Sequence, residues 1–232
     1  MNIYSITCTR DKNHDATAAG LFTTLSSYGV HVKVLANQTS IFDAYKKGLE
    51  ACGAEDEDIV ILCHDDLQIQ SPEDEFIAGL SKCLDKRVGV IGVAGTTHLS
   101  ENAVWWDRVA WEAGKHSGVV WHPSATTDNT DHKVIMRTEY GPHRQVVVLD
   151  GLFLAARKEV WDKIGLDKPE YFTGPWDFYD IHYTSTAHTL GYKNYTVPIR
   201  IIHNSRGELA GRDSWHNNRQ AFINNSKLPL SC

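Results

Sequence analysis

The chain has 232 residues, 42% of them hydrophobic and 22% charged, with a formal net charge of -6. This is the composition of one large globular domain, long enough to bury a full core. The acidic balance excludes a general binder of phosphate backbones, so no nucleic-acid partner is expected, although a phosphorylated small molecule can still be held through a metal ion.

Residues 2–8 (NIYSITC) read as a strand, and a polar loop follows at 9–14. Residues 15–28 open on an N-cap aspartate and carry helical spacing at Ala18, Leu21, Phe22 and Leu25. A second strand covers 32–36, and 40–52 read as a helix with Ile41, Ala44, Tyr45 and Leu49 on one face. Residues 58–63 (DIVILC) are a continuous apolar run, the pattern of a central parallel strand covered on both faces. Ser71, Pro72 and Asp74 give the next helix an N-cap, a first-position proline and a first-turn acid. Residues 88–94 (VGVIGVA) are another buried strand. This alternation predicts right-handed crossovers and an α/β architecture, a mostly parallel sheet flanked by helices.

From 95 to about 145 the rhythm breaks. The stretch is rich in Trp, His, Thr and Asn and holds Trp105, Trp106, Trp111 and Trp121. It predicts an insertion with some antiparallel strand, for instance at 133–138. Regular structure resumes at 146–156, followed by helices near 157–164 and 177–190 and a strand over 197–203. Residues 204–232 are polar and Asn-rich, the pattern of a flexible loop and tail.

The five cysteines are scattered and show no C-x-x-C pairing. Cys8 and Cys63 lie in apolar runs, where a free cysteine is usually a small core residue, so neither a disulfide framework nor a structural zinc site is expected and a reducing cytoplasm is the natural setting. The first residues lack a basic and then apolar leader pattern, and no apolar run approaches the roughly 20 residues that span a bilayer.

Four features carry chemistry. His64-Asp65-Asp66 directly follows DIVILC, at the carboxyl end of a predicted strand, where open α/β sheets bind ligands. Mg²⁺ and Mn²⁺ favour carboxylate oxygens, and adjacent acids at a buried strand end call for a neutralising cation; the plain alternative is an acidic turn. Asp150-Gly151 interrupts the run 146–161 (VVVLDGLFLAARKEVW), either as a β-bulge capped by its own aspartate or as a close backbone approach to a ligand. Asp177 and Asp180 lie one turn apart at a predicted helix start, as dipole partners or as a catalytic carboxylate beside a cleft. His203 ends the strand VPIRIIH, and a lone histidine there is structural or a ligand. The tryptophans of the insertion fill a core or form a stacking platform.

In this order the motifs resemble the glycosyltransferase family 2 group of GT-A enzymes, in particular its short glycosyltransferase-like branch. SIFDAYKKGLEAC, DIVILCHDD, VGVIGVAG, VLDGLFLAARKEVW, WDFYDIHYTSTAHTLGY and VPIRIIHNS each match in sequence order, and only 95–145 is left unexplained. The resemblance implies a single GT-A domain over 1–232, with a nucleotide-binding half (1–95) and an acceptor-binding half (96–203, insertion 96–145).

It also implies roles. Asp66 matches the last aspartate of the DxD-type motif, which binds the Mn²⁺ or Mg²⁺ that holds the donor diphosphate, and His203 matches a histidine of the metal shell. Asp65 is the motif's middle residue, while His64 stands where the motif usually begins with aspartate, a position near the ribose. Asp180 aligns with the catalytic carboxylate that deprotonates the acceptor hydroxyl, with Asp177 second. Asp150 and Gly151 border the donor sugar. Thr9, Arg10, Asp11 and Asn37 lie where the family contacts the nucleoside, and Arg206 and Arg212 are candidates to clamp the diphosphate. Trp105, Trp106 and Trp176 are candidates for the acceptor. The implied reaction is metal-dependent, inverting transfer from a nucleoside-diphosphate sugar, most often a UDP-hexose, to a glycan or other hydroxyl. A silent sugar-binding module and a metal-dependent hydrolase are the competing functions; no H-E-x-x-H motif is present for the latter. A lone catalytic domain of this kind fits a cytoplasmic enzyme of bacterial or viral origin.

Overall fold

The computed structural model of the chain describes residues 1–9, 16–127, 133–205 and 213–232. The first half alternates as expected: β1 (Ile3–Thr9), α1 (Ala16–Ser27), β2 (His31–Ala36), α2 (Ile41–Ala51), β3 (Ile59–Cys63), β4 (Leu67–Ile69), α3 (Glu73–Leu80) and β5 (Val88–Gly92). Helix α2 starts where Ser40 accepts the Asp43 backbone N–H at 3.2 Å, a side-chain cap on an otherwise orphaned donor. Every residue of β3 is buried, as a strand covered on both faces requires. Ser71 does not cap α3; its hydroxyl accepts the Arg200 N–H at 2.9 Å, and Pro72 takes the cap position.

The second half adds β6 (Ala94–Thr96), β7 (His98–Leu99), α4 (Arg108–Glu112), β8 (His116–Thr127), β9 (Lys133–Gly141), β10 (Gln145–Val146), β11 (Val148–Leu149), β12 (Phe153–Arg157), α5 (Lys158–Ile164), α6 (Tyr179–Thr189), β13 (Lys193–Thr196), β14 (Ile201–His203), α7 (Asp213–Asn225) and β15 (Leu230–Ser231). The main sheet has the order β10-β13-β5-β12-β3-β1-β2. Its β2-β1-β3 and β5-β13 pairings are parallel, whereas β12 runs antiparallel between β3 and β5. The run FLAAR is equally apolar in either direction, because burial on both faces leaves no pattern that encodes strand polarity. A second, curled sheet has the order β11-β6-β8-β14-β4, with β9 paired to β8 as the antiparallel part of the insertion.

Several boundaries differ from expectation. VGVIGVA is two strands, β5 in the main sheet and β6 in the curled one. The 197–203 strand shortens to β14, since Pro198 cannot donate to a ladder. The described part of the 204–232 tail is not irregular: 213–225 form α7, and β15 pairs with β7. No helix among the described residues is long and apolar enough to cross a membrane.

Candidate active site

The parallel strands β1, β2 and β3 bring their carboxyl ends to one sheet edge: Thr9 pairs with Ala36, and Thr7 with Cys63. Thr9 is buried there, and exposed Asn37 turns off β2 in a left-handed conformation (φ 53°) while its N–H donates to the Thr9 carbonyl at 2.9 Å. His64, Asp65 and Asp66 leave the same edge as a turn between β3 and β4, each half-buried.

Antiparallel pairing of β4 with β14 sets His203 opposite Leu67, and so beside Asp66. Asn204 fixes this corner, its backbone N–H and its side-chain amide both donating to the Asp66 carbonyl at 2.9 Å. His203 Nε2 lies 3.4 Å from Asp66 Oδ1 and 3.4 Å from His64 Nδ1, and His64 Nδ1 lies 3.9 Å from Asp66 Oδ1. One carboxylate oxygen and two imidazole nitrogens thus converge closely enough to share an ion. Asp66 Oδ1 is buried, and His203 Nε2 at 3.4 Å meets it as an ion-pair contact outside good hydrogen-bond geometry. Burial alone would raise the Asp66 carboxyl, but the facing His203 and His64 outweigh it and hold it below its ordinary value. His203 is correspondingly raised: burial disfavours its charge, and the Asp66 and Asp150 carboxylates more than restore it.

Tyr179, on the first turn of α6, sets the state of His64. Its hydroxyl donates to the Gly151 carbonyl at 3.0 Å and meets His64 Nε2 at 2.7 Å. A phenol has one proton, so with that proton on Gly151 it accepts from His64 Nε2–H; the neutral ring then offers Nδ1 as a lone pair, and the charged ring sets a positive charge against Asp66. Gly151 is required by the same contact. A Cβ there would lie 2.2 Å from the Tyr179 hydroxyl and 2.9 Å from Asp180 Cβ, so the close approach predicted for this glycine is made by α6.

Asp150 and Asp180 form the other wall. Asp150 sits in the turn between β11 and β12, where its Oδ1 accepts the Leu152 N–H at 3.2 Å, the self-capped turn that the sequence left open as one reading. Asp180 accepts from Gly151 N–H at 3.1 Å and Ile181 N–H at 2.8 Å. Both carboxylates keep an edge in solvent within otherwise proteinaceous surroundings. Burial, and next the charge of Asp150, push the Asp180 carboxyl up to about 7. Asp150 is raised by burial as well, against the opposing pull of His203 and His122.

Asp177 needs a correction. It does not share a helical face with Asp180, because α6 begins only at Tyr179 and Phe178 between them is left-handed (φ 69°). Asp177 is buried and accepts the Ser214 hydroxyl of α7 at 2.6 Å, which makes it a fastening point for that helix. Arg10, Asp11, Arg206 and Arg212 lie outside the described residues.

Residues 5–225 match the glycosyltransferase-like family across nearly the whole chain. The chain belongs to that family. Its fold is that of GT-A glycosyltransferases, as a crystal structure of GalNAc-T7 with UDP, GalNAc and Mn²⁺ shows: TM-score 0.55 at 12% identity, over 96% of this chain and 48% of the other. The chain therefore spans about half the length of GalNAc-T7. A197 from STIV is also similar, at TM-score 0.48 and 12% identity over 85% of this chain and 82% of A197. No curated protein sequence matches.

The glycosyltransferase-like domain also brings to this region residues that the sequence did not single out. His122 reaches the cluster because β8 runs parallel to β14 with Trp121 beside Ile202; the His122 and His203 rings are 5.8 Å apart. Tyr140 on β9 faces Asp150, whose charge adds to burial in raising its hydroxyl. No local pattern marks either residue, since both arrive through pairing across the curled sheet. Of the predicted acceptor tryptophans, Trp105 is buried at 2% exposure against Tyr140, whereas Trp106 is 38% exposed and Trp176 half-buried.

Proposed function

We propose that this glycosyltransferase is metal-dependent and inverting, and that it moves a hexose from a UDP-sugar to an acceptor hydroxyl. The observation that carries the reading is the convergence of His64, Asp66 and His203 next to a carboxyl raised to about 7 at Asp180. Asp66 and His203 hold the cation, and His64 completes the set through Nδ1, displacing the nucleotide-contact role expected for it. A mixed oxygen and nitrogen set suits Mn²⁺ better than Mg²⁺, whose ligands are mostly oxygens. When bound, that ion supplies positive charge against the leaving nucleoside diphosphate.

Asp180 acts on the acceptor. In its ionised form one carboxylate oxygen accepts the acceptor hydroxyl proton as that oxygen attacks the anomeric carbon, and the sugar–diphosphate bond breaks in the same displacement. Gly151 N–H and Ile181 N–H orient the carboxylate, and Asp150 keeps it basic by proximity. Thr9, Asn37 and Asp65 line the nucleoside end and Asp150 with Gly151 the sugar end. GalNAc-T7 was crystallised with UDP, GalNAc and Mn²⁺, which supports the choice of nucleotide and ion. The scattered cysteines, with no C-x-x-C pairing in the sequence, support a cytoplasmic setting.

Calorimetry with UDP, with and without Mn²⁺, tests the donor end. UDP should bind at least about tenfold more tightly with Mn²⁺, and Asp66→Ala should remove that difference. UDP binding that ignores both the ion and the substitution rules the reading out.

A further inference from the structure

Resting on the glycosyltransferase reading, we infer that Trp215 on α7 joins Trp106 in an aromatic shelf that binds the apolar face of a pyranose ring, so that the acceptor is a glycan. Trp215 lies in the tail, and nothing in the local sequence ties it to the site. The fold brings three distant segments together at this one side chain. Its ring centroid is 5.7 Å from that of Trp106, tilted by 38°, and 5.4 Å from that of Phe178, two residues before Asp180.

The shelf is built rather than incidental. On one side Ser214 donates to Asp177, and buried Asn218 bonds the backbone of the same loop. On the other, the Arg219 guanidinium donates to the Asn102 carbonyl, in the turn that leads to Trp106. Helix α7 is therefore pinned both to the entry of α6 and to the insertion, with Trp215 between the two attachments. Trp105 packs against Trp106 at 5.8 Å and against Tyr140 at 5.2 Å. Phe178, against which Trp215 packs, is the residue from which α6 starts, and this contact sets the shelf beside the turn that carries Asp180.

Trp106 remains 38% exposed and Trp215 is only half-buried, which is costly for side chains of this size unless the surface has a use. The chemistry points to a sugar. A pyranose presents a patch of C–H groups on one face, which an indole ring covers, and hydroxyls around its edge for a proton acceptor such as Asp180. A serine or threonine hydroxyl of a peptide carries no such ring face, and an acyl chain carries neither ring nor hydroxyl.

The test uses the full chain with UDP and Mn²⁺, titrated with methyl glycosides of glucose, galactose, mannose and N-acetylglucosamine, and with sorbitol as an open-chain polyol lacking the ring. Indole N–H resonances assigned by Trp106→Leu and Trp215→Leu report binding at the shelf. At least one glycoside should shift both resonances and show saturation transfer to its ring C–H protons, with sorbitol inert. Trp215→Leu should weaken that glycoside about three- to tenfold, and Trp215→Phe should restore most of the loss. UDP affinity, read in the same samples, reports an intact donor end. If Trp215→Leu does not fold, Trp215→Phe and Trp106→Leu carry the comparison. The inference is overturned if no glycoside shifts either resonance while UDP binds, or if binding is unchanged in Trp215→Leu. Loss of UDP binding in the unaltered chain would instead sink the glycosyltransferase reading itself.

Discussion

At the scale of single residues, the site separates two kinds of carboxylate by their surroundings. Asp66 is held low by two imidazoles and suits a cation, while Asp180 is pushed up by burial and by Asp150 and suits a proton. Asp180→Asn should therefore cut transfer by at least about a hundredfold while UDP affinity with Mn²⁺ stays within about twofold; retained turnover would remove the base assignment. The base works only when ionised. In the unaltered enzyme kcat/KM should thus rise with pH through about 7 and fall away below it, a limb to be read from an initial-rate pH series. On the proposed reading Tyr179 is a positioning residue that contacts His64 Nε2 and not the ion. Tyr179→Phe removes the acceptor for Nε2–H and should weaken Mn²⁺ about tenfold or more by direct titration, with the fold preserved.

At the scale of elements, α7 is the part that sequence patterning misread. Its residues are polar, and polar residues without a hydrophobic stripe read as loop. Asn218 explains the misreading. It is fully buried because Oδ1 accepts from Thr173 and Gly174 N–H, both at 2.9 Å, while Nδ2 donates to the Gly174 carbonyl at 2.9 Å and the Asp177 carbonyl at 3.0 Å. The side chain completes the backbone bonding of an irregular loop, a use that hydropathy cannot register. Asn218→Ala leaves those groups unpaired and should cost about 2–4 kcal/mol, read as a fall in Tm on thermal unfolding. The run 146–156 shows the opposite error. Its apolar residues are all core, but they divide among three strands in two sheets around the Asp150-Gly151 turn.

At the scale of the whole molecule, the ion site joins the two sheets. His64 follows β3 of the main sheet, Asp66 directly precedes β4, and His203 ends β14 of the curled one. A ligand bound only by the folded chain adds stability in proportion to the logarithm of its concentration over Kd. Mn²⁺ at a hundredfold excess over its Kd should add about 2.7 kcal/mol, and so raise Tm by several degrees, an effect that EDTA reverses and Asp66→Ala abolishes. A Tm indifferent to Mn²⁺ in the unaltered chain would show that the three ligands do not act together.

The sequence by itself determined the α/β alternation, because buried strands and amphipathic helices write their periods locally. It also determined the place of His64-Asp65-Asp66 at a strand end, and the candidacy of Asp150, Asp180 and His203, since each follows or opens an element whose type the pattern gives. Only the tertiary structure decided which of these meet. The register of β14 on β4 brings His203 to Asp66, and that of β8 on β14 brings His122 to His203. The left-handed turn at Phe178 separates Asp177 from Asp180, and α7 carries Trp215 to Trp106. These are pairings between segments tens of residues apart, and neither period nor spacing encodes a cross-strand register.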